Sequence, residues 1–163
     1  MKLKEHIIYG GIVSATLYPF AGWKSVFFFG GSVCIDIDHY IDFLYYSGFK
    51  NWKIKDMFKF HGETNRLCTH PNIYCLQAFH TLEFVILLFL LGINFKSSAI
   101  LLIFSGMIFH WFLDLISMYK RRIIRVRALS FTGYWIKSNK MKRLGIHPEQ
   151  IFREAYTLSQ SQR

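Results

Sequence analysis

Apolar residues in this chain gather into four blocks, Ile7 to Trp23, Ser25 to Tyr46, Ile73 to Phe95 and Ser97 to Tyr119. A helix needs about twenty predominantly apolar residues to cross a bilayer, so each block predicts a transmembrane helix. Only Gly22 to Lys24 separates the first block from the second, and only a turn at Asn94 to Ser98 separates the third from the fourth. Connections that short predict antiparallel hairpins. The pattern therefore predicts an all-α integral membrane bundle of four transmembrane helices over residues 1–119, followed by a basic tail at 120–163. The polar loop Ser47 to Asn72 holds NWKIKDMFKF, which reads as a short helix lying on the membrane. In the tail, HPEQIFREAYTLS reads as a short helix with Pro148 in its first turn.

Composition and charge place this bundle. Hydrophobic residues make up 52% of the 163 and charged residues only 18%, too apolar a balance for an ordinary soluble surface. The net charge of +10 might suggest nucleic acid, but the basic residues lie between or after the apolar blocks and form no separable module, so nucleic acid is not the expected partner. With both termini cytoplasmic, the inner segments hold 18 of the 20 Lys and Arg, and only Lys24 and Lys96 face out. That asymmetry is what the positive-inside rule asks of a multi-pass inner-membrane protein. KRRIIRVR after the fourth block suits anionic lipid headgroups. Cys34, Cys68 and Cys75 form no CxxC pair and read as reduced thiols. The first apolar run reads as a retained helix, with Tyr18, Pro19 and Trp23 at its interfacial end and no small-residue cleavage site following.

Ionisable residues inside the blocks change the picture from anchor to site, since each is costly in a bilayer. The second block carries Asp36, Asp38, His39 and Asp42; at helical spacing Asp36, His39 and Asp42 run down one side. The third carries His80 and Glu83, the fourth His110 and Asp114, and His6 opens the first. In the predicted orientation all of them fall in the cytoplasmic halves of their helices. Histidine paired with carboxylate on several helices is how bundle cores hold metal ions. The candidate ligands are His6, Asp36, Asp38, His39, His80, Glu83, His110 and Asp114. Their mixed nitrogen and oxygen donors suit zinc or manganese, and their number suits one to three ions with some members as supporting partners. Hydrolysis follows, with Asp38, Glu83 and Asp114 as the carboxylates to shuttle a proton. The basic surroundings favour a phosphoester or phospholipid at the inner leaflet.

His6, IDIDH (Asp36, Asp38, His39), His80 and GxxxHxxxD (Gly106, His110, Asp114) together resemble the predicted inner-membrane metal-dependent hydrolases whose members include LexA-regulated proteins. More distantly, they are similar to the zinc-dependent phospholipase C family. The resemblance covers roughly residues 1–119 and implies a metal site at the residues just named, with hydrolysis as the reaction class. The chain departs from the family pattern at Ile35, at Gln77 to Phe79 before His80, and at Glu83.

Three other readings compete. Asp36, Asp42, Glu83 and Asp114 could form a cation or proton path, although such a path should continue through the apolar outer halves. Two of His39, His80 and His110 could hold a haem, although the neighbouring carboxylates suit a harder cation. The polar cluster could only fasten the bundle, at considerable cost for the small stabilisation that interhelical hydrogen bonds give.

Overall fold

The computed structural model describes residues 3–161; Lys2 and Arg163, two of the charges counted on the inner side, lie outside them. The described residues form α1 (Leu3–Ala21), α2 (Ser25–Cys34), α3 (Ile37–Tyr46), α4 (Ile54–Leu67), α5 (Leu82–Asn94), α6 (Ser98–Lys120), α7 (Phe131–Arg143) and α8 (Pro148–Ser161). No strand occurs among them; a single parallel bridge joins Cys75 and Arg127.

Two helical stretches are long and apolar enough to cross a membrane, the run Leu3–Tyr46 and the helix Ser98–Lys120. The run bends twice, through a 3₁₀ turn at Gly22–Lys24 and a break between Cys34 and Ile37. The third apolar block is helical only over 13 residues, about 20 Å at 1.5 Å per residue and short of the ~30 Å hydrocarbon core. Thr81 sets its start. Its backbone is extended and its hydroxyl accepts from Phe84 N, the arrangement of an N-cap, so the residues before it leave the helix and His80 sits in a 3₁₀ turn at Ala78–His80.

The chain groups into two compact units, Met1–Asp36 with Ala78–Ile124 and Ile37–Gln77 with Arg125–Arg163. In the first, α2 packs on α1 and α6, and α5 packs on α6. The α2–α6 crossing is a backbone contact. A β-carbon on Gly31 would strike the Ile103 carbonyl, and one on Gly106 would strike the Phe28 carbonyl. Small residues are what allow two helices in lipid to approach this closely.

The second unit is built on aromatic rings. Phe43, fully buried, lies 5.9 Å from the Phe60 ring and 6.1 Å from Tyr156, joining α3 to α4 and α8. Tyr46 stacks on Phe152 at 5.3 Å. Two backbone bonds, Cys75 N to Val126 O at 2.9 Å and Ala128 N to Cys75 O at 2.8 Å, tie the loop after α4 to the segment before α7. The Cys75 Sγ rests 3.4 Å from Val126 O, and burial pushes this thiol up to about 12.

Two outcomes test this packing. Gly106→Ala should lower stability in detergent by about 1–3 kcal/mol through overpacking, read by thermal or denaturant unfolding. Gly30→Ala, where a β-carbon meets nothing within 4 Å, should not. Burial pushes the Cys75 thiol up, so maleimide should label the exposed Cys34 well before Cys75, and denaturation should remove the difference, as peptide mass spectrometry would show.

Candidate metal centre

Four donors converge in the first unit. Asp36 ends the break after α2, His80 closes the 3₁₀ turn before Thr81, and His110 and Asp114 share one face of α6 at i, i+4. Each offers one atom, and all four atoms lie within 4.8 Å of one another. The Nε2 atoms of His80 and His110 are 3.3 Å apart. Asp36 Oδ1 is 3.3 Å from His110 Nε2 and 3.7 Å from His80 Nε2. Asp114 Oδ2 is 3.7 Å and 3.9 Å from the same two nitrogens.

Those spacings can be compared with what an ion demands. Four ligands at about 2.0–2.2 Å around a tetrahedral centre stand about 3.3–3.5 Å from one another. Five of the six separations fall at or a few tenths of an ångström above that value and the sixth, between the two carboxylates, lies within 4.8 Å, so the group could hold a metal ion after contraction. The donor chemistry agrees. His110 Nδ1 lies 2.8 Å from the Ser32 carbonyl, an acceptor only, so Nδ1 carries a proton, and in the neutral ring Nε2 presents its lone pair to the centre. Lone pairs and carboxylate oxygens aimed at one buried point repel, and a cation relieves them.

The Ser32 carbonyl is available for a local reason. Ser32 stands in the last turn of α2, where helix carbonyls run out of intrahelical donors. The Gly31 and Gly106 contacts then bring α6 close enough for an imidazole to reach it.

His6 supports the group from outside the four. Its Nε2 donates to Asp114 Oδ1 at 3.2 Å, which turns Oδ2 toward the other donors. Its ring stacks on His110 with centroids 3.7 Å apart and planes 13° from parallel. His6 Nδ1 is buried and has no hydrogen-bond partner among the described residues. Asp36 alone of the four donors is half-buried; His80, His110 and Asp114 are buried. The group is therefore least enclosed on the Asp36 side.

Of the remaining expected ligands, Asp38 and His39 belong to the second unit. There Asp38 is buried, and His39 accepts from Gln77 Nε2 at 2.8 Å with its ring 4.3 Å from that of His61. A continuous helix through the second block would have put Asp36, His39 and Asp42 on one side; the break before Ile37 ends that periodicity at Asp36. Glu83 lies in the first turn of α5 and is exposed. It is one turn from His80 only if the helix continues backward past Thr81, which it does not.

Two parts of the arrangement are not visible as ligand spacing. The Ser32 carbonyl is a backbone atom and carries no residue signature. Thr81 does carry one, since threonine followed by an acid in the first turn marks a helix start.

Comparison with protein-family models, with curated proteins and with solved structures finds no match to this chain.

His6→Ala should weaken metal binding by about 10–100-fold without abolishing it, the usual cost of losing a partner that orients a ligand. Competition with a chelator of known affinity would measure it.

Proposed function

We propose that this protein is a membrane-embedded metal-dependent hydrolase of a phosphoester or phospholipid at the cytoplasmic leaflet. In this reading it is a multi-pass inner-membrane protein, with its termini on the side where the Lys and Arg accumulate. The observation that carries the proposal is the convergence of Asp36, His80, His110 and Asp114 with His110 Nδ1 fixed on a backbone carbonyl. Zinc or manganese fits a set of two imidazoles and two carboxylates.

A divalent ion held by these four residues would supply Lewis acidity and, with water taken as a further ligand, an activated nucleophile near neutral pH. The chain supplies the rest. The Ser32 carbonyl holds His110 in one tautomer, so its ring enters each turnover already oriented. His6 holds Asp114 Oδ1 and thereby directs Oδ2. Asp36, on the open side, is the carboxylate placed to take up the proton released when water attacks. Burial of His80, His110 and Asp114 keeps bulk water off the other sides of the group, which strengthens its electrostatics. Glu83, exposed in the first turn of α5, is given no proton-transfer role.

Detergent-purified wild type should carry a near-stoichiometric transition metal by elemental analysis, and His110→Ala and Asp36→Ala should lose it. Phosphate release from a lipid phosphate in mixed micelles should fall with it, while Glu83→Gln should retain both. Equal trace metal in wild type and in the two ligand variants would end this reading.

A further inference from the structure

The second unit contains a recess of about 440 Å³ between α3, the loop before α5, the end of α7 and α8, within the size range of small-ligand sites. Tyr45, Tyr46, Tyr74 and Tyr134 contribute to its wall. Rings in this wall already accept one cation, for Lys137 Nζ stands 3.9 Å over the Tyr74 centroid. Tyrosine faces attract ammonium groups through the ring quadrupole, most strongly when water is excluded.

Charges of both signs line the same recess. Glu149 is already balanced, with Lys142 Nζ and His147 Nδ1 each 3.6 Å from its Oε1. Asp42 and Arg153 are not. Both line the recess, and neither side chain makes a hydrogen bond or ion pair among the described residues. A half-buried carboxylate left without a partner is costly, and an incoming cation removes that cost. A guanidinium in the same cavity that does not neutralise that carboxylate is open to an anion, and its planar fork matches phosphate oxygens. The lining of one recess of about 440 Å³ therefore calls for a cation at Asp42 and for an anion at Arg153.

The geometry points to a binding site for a small zwitterion in which an organic ammonium is joined to a phosphate, the ammonium against Asp42 with Tyr45 and Tyr46, the phosphate against Arg153. The inference rests on the second unit alone and is independent of the hydrolytic reading. The ligand could be a soluble phosphoamine or the headgroup of a lipid, which present the same chemistry.

The test is calorimetric titration of full-length protein, purified in a maltoside detergent, with phosphocholine. Wild type should bind saturably. Asp42→Asn and Arg153→Gln, each checked for an unchanged thermal transition in the absence of ligand, should each weaken binding by about tenfold or more, equivalent to ~1.4 kcal/mol. The two losses should separate. Asp42→Asn should bind inorganic phosphate as wild type does, and Arg153→Gln should bind tetramethylammonium as wild type does. Displacement of phosphocholine by phosphatidylcholine in mixed micelles would assign a lipid headgroup, and no displacement a soluble ligand. No saturable binding by wild type, or binding that both substitutions leave unchanged, overturns the inference.

Discussion

The hydrogen bond from His110 to the Ser32 carbonyl is the constraint on which the candidate centre depends. It requires three independent features to coincide. The α2 helix must end just after Ser32 so that its carbonyls lack intrahelical donors. Gly31 and Gly106 must both lack side chains so that α6 can lie against α2 at backbone distance. His110 must then fall one turn beyond Gly106 on the same face of α6, as the i, i+4 spacing provides. Remove any one and the imidazole loses the partner that fixes its tautomer, and with it the lone pair directed at Asp36, His80 and Asp114. Gly106 thus acts on the chemistry through packing, without touching any donor atom.

A buried group of this kind also shapes the helices that carry it. Asp36 and His80 both stand outside the α-helices, one in the break before Ile37 and one in the 3₁₀ turn before Thr81. Side chains on a continuous helix project at fixed angles, and pairs there are limited to i, i+3 and i, i+4 neighbours. Irregular backbone lets Asp36 and His80 approach the α6 pair from other directions, which a nearly tetrahedral set of donors needs. In a membrane such backbone is tolerated where it is buried in protein or lines a cavity. The two interruptions of the apolar blocks are therefore where the ligands stand.

This explains which parts of the site could be read from the sequence. His110 and Asp114 lie on a long uninterrupted helix, and periodicity places them together without further information. The α6 helix, the turn at Gly22–Lys24 and the start of α8 at Pro148 were legible for similar local reasons. Asp36 and His80 were legible as ionisable residues in apolar surroundings, but not in their geometry, because helical spacing was extended through breaks that it could not see. That extension grouped His39 and Asp42 with Asp36 and joined Glu83 to His80. Threonine before an acid at Thr81 and Glu83 was the available sign of a helix start. The apolar run around it outweighed that sign, because hydropathy averages over a window longer than a cap. The division of the chain into two discontinuous units was not legible at all, since it rests on contacts such as Phe43 with Phe60 and Tyr156 that join distant segments.

Charge tells the same story at a different scale. The basic residues were read as one population, an inner-side excess that sets orientation. Side-chain geometry separates them into kinds. Lys137 lies on a tyrosine ring, Lys142 balances Glu149, and Arg153 lines a recess without an ion-pair partner among the described residues. A topological rule needs only the sum of these charges, whereas recognition needs the one left unneutralised beside an unneutralised carboxylate. Asp42 was legible as a carboxylate in apolar surroundings, on one helical side with Asp36 and His39 and on a possible cation path. Its surroundings in the second unit give the same residue type a different chemistry, because what an acid does is set by the partners that folding brings to it or withholds.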